Sequence, residues 1–202
     1  MFRRTLATGM GVQLSLPAQA SPASSLVLSL RAAPAVRWVL RRGWRWPAGE
    51  VQLACAQGPV SLWLPGLEGT VLAGANAMTR RGLSATQLSV GAITTRVDGY
   101  AQGFVAKGGD GARTGQHVLA FGPAEHPSVW LCSVSCHGRS DPCESIVTSL
   151  TLTGTSPHPP ATAAARGVVL VADHPQLAAA GLTTALLLGC GWFLARRPRP
   201  RR

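Results

Sequence analysis

Acidic residues are scarce in this 202-residue chain: eight Asp and Glu stand against nineteen Lys and Arg, and none precedes Glu50. Lysine is nearly missing as well, with Lys107 beside eighteen arginines, and Tyr100 is the only tyrosine. Charged residues make up 13% of the chain and hydrophobic residues 46%. Soluble domains carry about 25% charged residues, and disordered chains are poorer in apolar groups, so this composition excludes an intrinsically disordered protein. Short catalytic signatures are also missing. There is no G-x-S-x-G nucleophile elbow and no H-E-x-x-H; the Gly-rich run at residues 108–111 is not followed by Gly-Lys-Ser/Thr. No catalytic residue and no cofactor is therefore assigned. His117, His126 and His137, scattered among Asp98, Asp110 and many serines, read as solvated surface.

The net charge of +11 sits at the two ends, with seven arginines before residue 46 and five after residue 195. Between them bases and acids nearly balance, so no basic face is expected and nucleic acid is disfavoured as a partner. The bias toward Arg, Ala, Gly and Pro points to a GC-rich, bacterial source.

What is present in strength is a charge-free run at residues 177–195, LAAAGLTTALLLGCGWFLA. At ~1.5 Å per residue it reaches about 28 Å, close to the ~30 Å of a bilayer core, which predicts a C-terminal transmembrane helix. Arg196, Arg197, Arg199, Arg201 and Arg202 follow it. Under the positive-inside rule these determinants keep the tail cytoplasmic and place the body outside, at the cell membrane. The run closed by arginines is similar to bacterial C-terminal sorting signals, some of which are removed by proteolysis. An exported body requires a leader, and residues 1–20 supply its pattern: Arg3 and Arg4, an apolar stretch at residues 5–16, and Ala18-Gln19-Ala20 as an A-x-A cleavage site. An Arg-rich, acid-free organellar transit peptide and a misassigned start are the competing readings. Residues 21–49 form a basic segment containing Trp38, Trp44 and Trp46.

Residues 50–154 read as one extracytoplasmic domain. Strand-like runs at residues 51–56 and 59–64 precede an amphipathic helix at residues 67–81 with Gly82 at its C-terminus. Strands are expected at residues 83–93, 95–106, 116–121 and 128–134, with a turn-rich loop at residues 107–115. Asp141-Pro142-Cys143-Glu144 resembles a capped helix start, leading to a helix ending near Ser149 and a closing strand at residues 150–154. The predicted fold class is α+β: a small antiparallel sheet with two short helices, plus the transmembrane helix. A linker rich in Pro, Ala and Thr occupies residues 155–176. This order of elements, ending in ESIVTSLTLTG, resembles the small α+β sandwich domains of the PsbP-like group. That resemblance implies a binding or assembly role without catalysis.

Four cysteines fall in the domain, Cys55, Cys132, Cys136 and Cys143, while Cys190 lies in the apolar run. An even number in an oxidising compartment predicts disulfides. Three connectivities exist; the favoured one joins Cys136 to Cys143 across a small loop and Cys55 to Cys132 between two strands. The alternative reading uses Cys132, Cys136, His137 and Cys143 as a zinc set, or the C-x3-C-H run as a haem site. The functional expectation is an exported, membrane-anchored protein with a non-catalytic binding or envelope-assembly domain whose partners are the membrane and envelope proteins. The alternative is an envelope redox or metal protein built on that cysteine cluster.

Overall fold

A computed structural model describes residues 1–6, 9–24, 37–60, 63, 66–96, 99–109, 111–123, 125–138 and 140–156. Ten strands and two helices follow in the order β1 (Phe2–Thr5), β2 (Gly11–Leu14), β3 (Ser21–Pro22), β4 (Arg37–Trp46), β5 (Gly49–Pro59), α1 (Glu68–Gly82), β6 (Gln87–Arg96), β7 (Gly99–Gly108), β8 (Gly111–Phe121), β9 (Ser128–Gly138), α2 (Ser140–Thr148) and β10 (Thr151–Thr153). A seven-stranded antiparallel sheet runs β3-β4-β5-β9-β8-β7-β6, and a three-stranded sheet runs β1-β2-β10.

The fold is thus predominantly β, which corrects the expected α+β class with its small sheet. The difference arises before residue 50, where a leader and a basic segment were expected. There β1 to β4 form, and Met10, Val12 and Leu14 are completely buried. Cleavage after Ala20 would remove β1 and β2, and with them the strand against which β10 pairs. The transmembrane helix expected at residues 177–195 lies outside the described residues, and no described helix is long and apolar enough to cross a membrane.

Alternation organises the large sheet, because successive strand side chains point to opposite faces. Along β9, Trp130, Cys132, Val134 and Cys136 face one side and join the principal core with Val51, Leu53 and Cys55 of β5. Ile146 and Val147 of α2, Leu152 of β10 and Val12 and Leu14 of β2 close that core. The opposite face carries Leu119 and Phe121 of β8, which meet Leu72 of α1 and Trp63. Strand β5 lies between two neighbours and is buried from Val51 through Ala56, so it runs unbroken to Pro59 rather than ending at Ala56.

Helix α1 matches its expected span. Glu68 stands in its first turn and Arg80 and Arg81 in its last, each sign placed where the helix dipole is complementary. The hydroxyl of Tyr100 on β7 is held above its ordinary pKa by burial and by the neighbouring Glu68 carboxylate.

Gly115 is one of several glycines demanded by packing. On β8 the place that a Cβ of Gly115 would take is filled by the ring of Phe104, which stacks on His117 with ring centroids 4.7 Å apart. Gly115→Ala is expected to push that ring off the imidazole and to cost about 2 kcal/mol, in the range of overpacked cores; a urea titration of the variant measures it.

Candidate functional site

The four cysteines of the body form two disulfides, Cys55–Cys132 and Cys136–Cys143, the two pairs favoured by the sequence. Cys55 and Cys132 are direct cross-strand partners on β5 and β9, while Cys136–Cys143 ties the end of β9 to the first turn of α2. The zinc or haem set is therefore divided: Cys132 and Cys136 face the principal core in different bonds. His137, adjacent to Cys136 on the strand, points to the opposite face, beside Glu50 and Arg113. Among the described residues no group of three or more His, Cys, Asp or Glu is placed to hold a metal ion. Arg196, Arg197, Arg199, Arg201, Arg202 and Cys190 lie outside the described residues.

A polar network that the sequence concealed lies on the face covered by α1. His117, expected at the surface, is completely buried, and burial pushes its pKa down to about 4. Its Nδ1 is 2.7 Å from Ser133 Oγ and its Nε2 is 3.5 Å from Thr79 Oγ1 on α1. Directly across from His117 on β7, Gln102 Oε1 accepts from Asn76 Nδ2 at 2.8 Å, and Gln102 Nε2 donates to the Gly91 carbonyl at 3.0 Å. A hydroxyl and an imidazole at this distance are two members of a hydrolytic triad. Here, however, Thr79 stands at the nitrogen that would have to face a nucleophile or an acid, and solvent does not reach the ring. The arrangement links α1 to the sheet and pairs most of its buried polar atoms, although Asn76 Oδ1 has no partner. Two rows away Glu50 joins Arg113 at 2.7 Å and the more exposed Arg45 at 3.3 Å.

The other face holds the open site. Helix α2 packs against β8 and β9, and between its edge and strands β6 and β7 is a groove of about 560 Å³. Its walls are Glu144, Val147 and Thr148 of α2 and Ser89 and Val90 of β6; its floor includes Gly103, Val105 and Gln116. Val90 and Val105 are among the few large apolar side chains left exposed, at 50% and 38%. A β-bulge between Val90 and Ile93 shapes this wall, and its free carbonyl, that of Gly91, is the one held by Gln102. Gln116 is only 8% exposed, and its Nε2 has no hydrogen-bond partner.

Sequence reasoning missed this groove because its parts are separated by up to sixty residues of chain and none belongs to a motif. The available signal was glycine inside strands, at Gly91 and Gly103, which marks bulges or close approach of another group. No protein-family model matches the chain, and no curated protein matches it in sequence.

Proposed function

We propose that the described body is the non-catalytic binding domain of an exported, membrane-attached envelope protein, with the groove beside α2 as its ligand site. The observation that carries this reading is the groove, of about 560 Å³ and largely apolar. Its volume falls within the ~300–1,000 Å³ of small-molecule sites. The wall formed by α2 is tied to β9 by Cys136–Cys143, which preorganises it.

Export is supported by sulfur chemistry, because two disulfides among four body cysteines suit an oxidising environment better than a reducing cytosol. Attachment is supported by the charge-free residues 177–195 and the arginines behind them. Confinement at a membrane would raise the effective concentration of the domain toward partners on the same surface without any chemistry of its own.

Intact mass of the full chain, extracted from membranes and treated with a thiol alkylating reagent before and after reduction, tests the compartment. Cys190 is the only thiol expected to react at first, with four more reacting after reduction. Alkylation of all five cysteines without reduction, or recovery of the chain in the soluble fraction, overturns the reading.

A further inference from the structure

We propose that the body lies against the membrane surface through the arginine-lined edge formed by β1 and β4, and that this edge recognises a layer of anionic phospholipid headgroups. The contact is separate from the groove and from the charge-free run at residues 177–195, and it gives the body an orientation that attachment by a tail does not.

Two strands far apart in sequence converge at this edge. β1 is an outer strand of the three-stranded sheet, and among the described residues β4 is paired with β3 only at Trp44 and Arg45. The rings of Phe2 and Trp44 meet edge to face with centroids 4.8 Å apart, which brings the edges of the two sheets together. Arg3 and Arg4 follow Phe2 directly, and Arg42 and Arg45 stand within two residues of Trp44. All four are exposed, as is Arg37 at the start of β4. Arg42 shares a strand face with Leu40 and Trp44, which enter the principal core, yet it remains exposed. Its guanidinium therefore stands at the open rim between the two sheets.

The charge at this rim is of one sign. The six arginines of β1 and β4 meet one acid, Glu50, which is already engaged by Arg45 and by Arg113. Arg3, Arg4, Arg37 and Arg42 have no ion pair among the described residues. Like charges set around one ring pair repel each other. Edge charges can also keep other strands away, but charges of either sign do that, and here every unpaired one is positive. Such a surface calls for a polyanion.

The aromatic residues decide which polyanion. Phe2 and Trp38 are half-buried among the arginines, a mixture suited to the boundary between headgroups and acyl chains. A single-stranded nucleic acid needs rings free to stack on bases, whereas Phe2 is engaged by Trp44. A duplex is read by a helix or ribbon that enters a groove, whereas β1 and β4 are each paired along their length to the next strand of the body. A lipid surface asks for neither.

Arginine footprinting of the full chain tests the contact. Modification by phenylglyoxal is followed residue by residue by mass spectrometry, on phosphatidylcholine vesicles and on vesicles in which about one-third of the lipid is phosphatidylglycerol. On the anionic vesicles Arg3, Arg4, Arg37 and Arg42 are expected to react about fivefold more slowly, the factor by which such a surface holds one basic side chain. The exposed Arg80 and Arg81 of α1, which packs over β6 to β8 at the other end of the large sheet, should keep their rates. Salt at about 0.5 M shortens the screening length to about 4 Å and should remove the difference. In the double variant Arg3→Gln, Arg42→Gln, which changes only exposed side chains, Arg4 and Arg37 should return to their rates on phosphatidylcholine. Unchanged rates, slowing of equal size at Arg80 and Arg81, or slowing that survives in the double variant overturns the proposal. So does a DNA duplex that slows the same four arginines as much on phosphatidylcholine vesicles, because the edge then reads charge alone. If the chain fails to float with phosphatidylcholine vesicles, attachment through residues 177–195 fails, and the footprint on anionic vesicles still decides the edge.

Discussion

Replacing Cys55 and Cys132 together by alanine is expected to lower stability by about 4.5 kcal/mol, whereas replacing Cys136 and Cys143 costs about 2.4 kcal/mol. The difference follows from loop closure in the unfolded chain: the bonds span sequence separations of 77 and 7, and the entropy removed grows with the logarithm of that length. The native structure adds a reason of its own. Cys55 and Cys132 clasp β5 to β9, and everything from α1 through β8 is inserted in the chain between those two strands. Without the bond, the central strand pair forms only after a long excursion of chain has been ordered. Urea titrations of the two double variants measure both losses from their midpoints, provided the slopes stay unchanged. Equal losses for the two pairs would show that native packing, not loop closure, sets their contribution.

Acidification should destabilise the domain through His117. In the unfolded chain this imidazole takes a proton near its ordinary pKa of 6.5, but in the folded body only near 4, since burial penalises the charged ring. The folded pKa is depressed, so the unfolded state binds more protons between these values and stability falls as pH drops. The contribution is complete above pH 6.5, is lost progressively between pH 6.5 and 4, and loses nothing further below. A separation of this size corresponds to about 3 kcal/mol. Protonation would place a charge against the stacked ring of Phe104 and beside Ser133 and Thr79, so α1 is the element expected to loosen first. Stability measured by urea titration at several pH values should show this slope in the wild type and a much flatter one in His117→Leu. A wild type equally stable at pH 7 and pH 4 would contradict the account.

The sequence was most readable where one local rule decided the outcome. Of the apolar stripe Leu67, Val71, Leu72, Ala75 and Met78, Leu72 and Ala75 lie on the buried side of α1, joined there by Asn76 and Thr79, and the expected end at Gly82 is the observed end. Strand alternation and turn glycines located β6 to β9 to within a few residues. The loop expected at residues 107–115 shrank because pairing extends to Gly108 and Gly111 at the hairpin tip. The N-terminal quarter was the least legible part of the chain, for an identifiable reason. A leader's apolar stretch and a short core strand have the same composition, and Met10, Val12 and Leu14 serve the second role once β10 returns from the far end of the chain to pair with β2. Arg37, Arg41, Arg42 and Arg45 disguised β4 in the same way, although its Trp44 and Trp46 turn inward.

The sequence by itself determined the charge distribution, the number and favoured pairing of the cysteines, and the two helices, all of which depend on composition or on contacts close in the chain. Tertiary structure alone decided which apolar segments became sheet and that His117 is buried in a polar network. It also decided that a groove opens beside α2. Each of these depends on antiparallel pairing between residues far apart in sequence, and a strand's inward and outward faces acquire meaning only when its neighbours and the layer packed on it are in place.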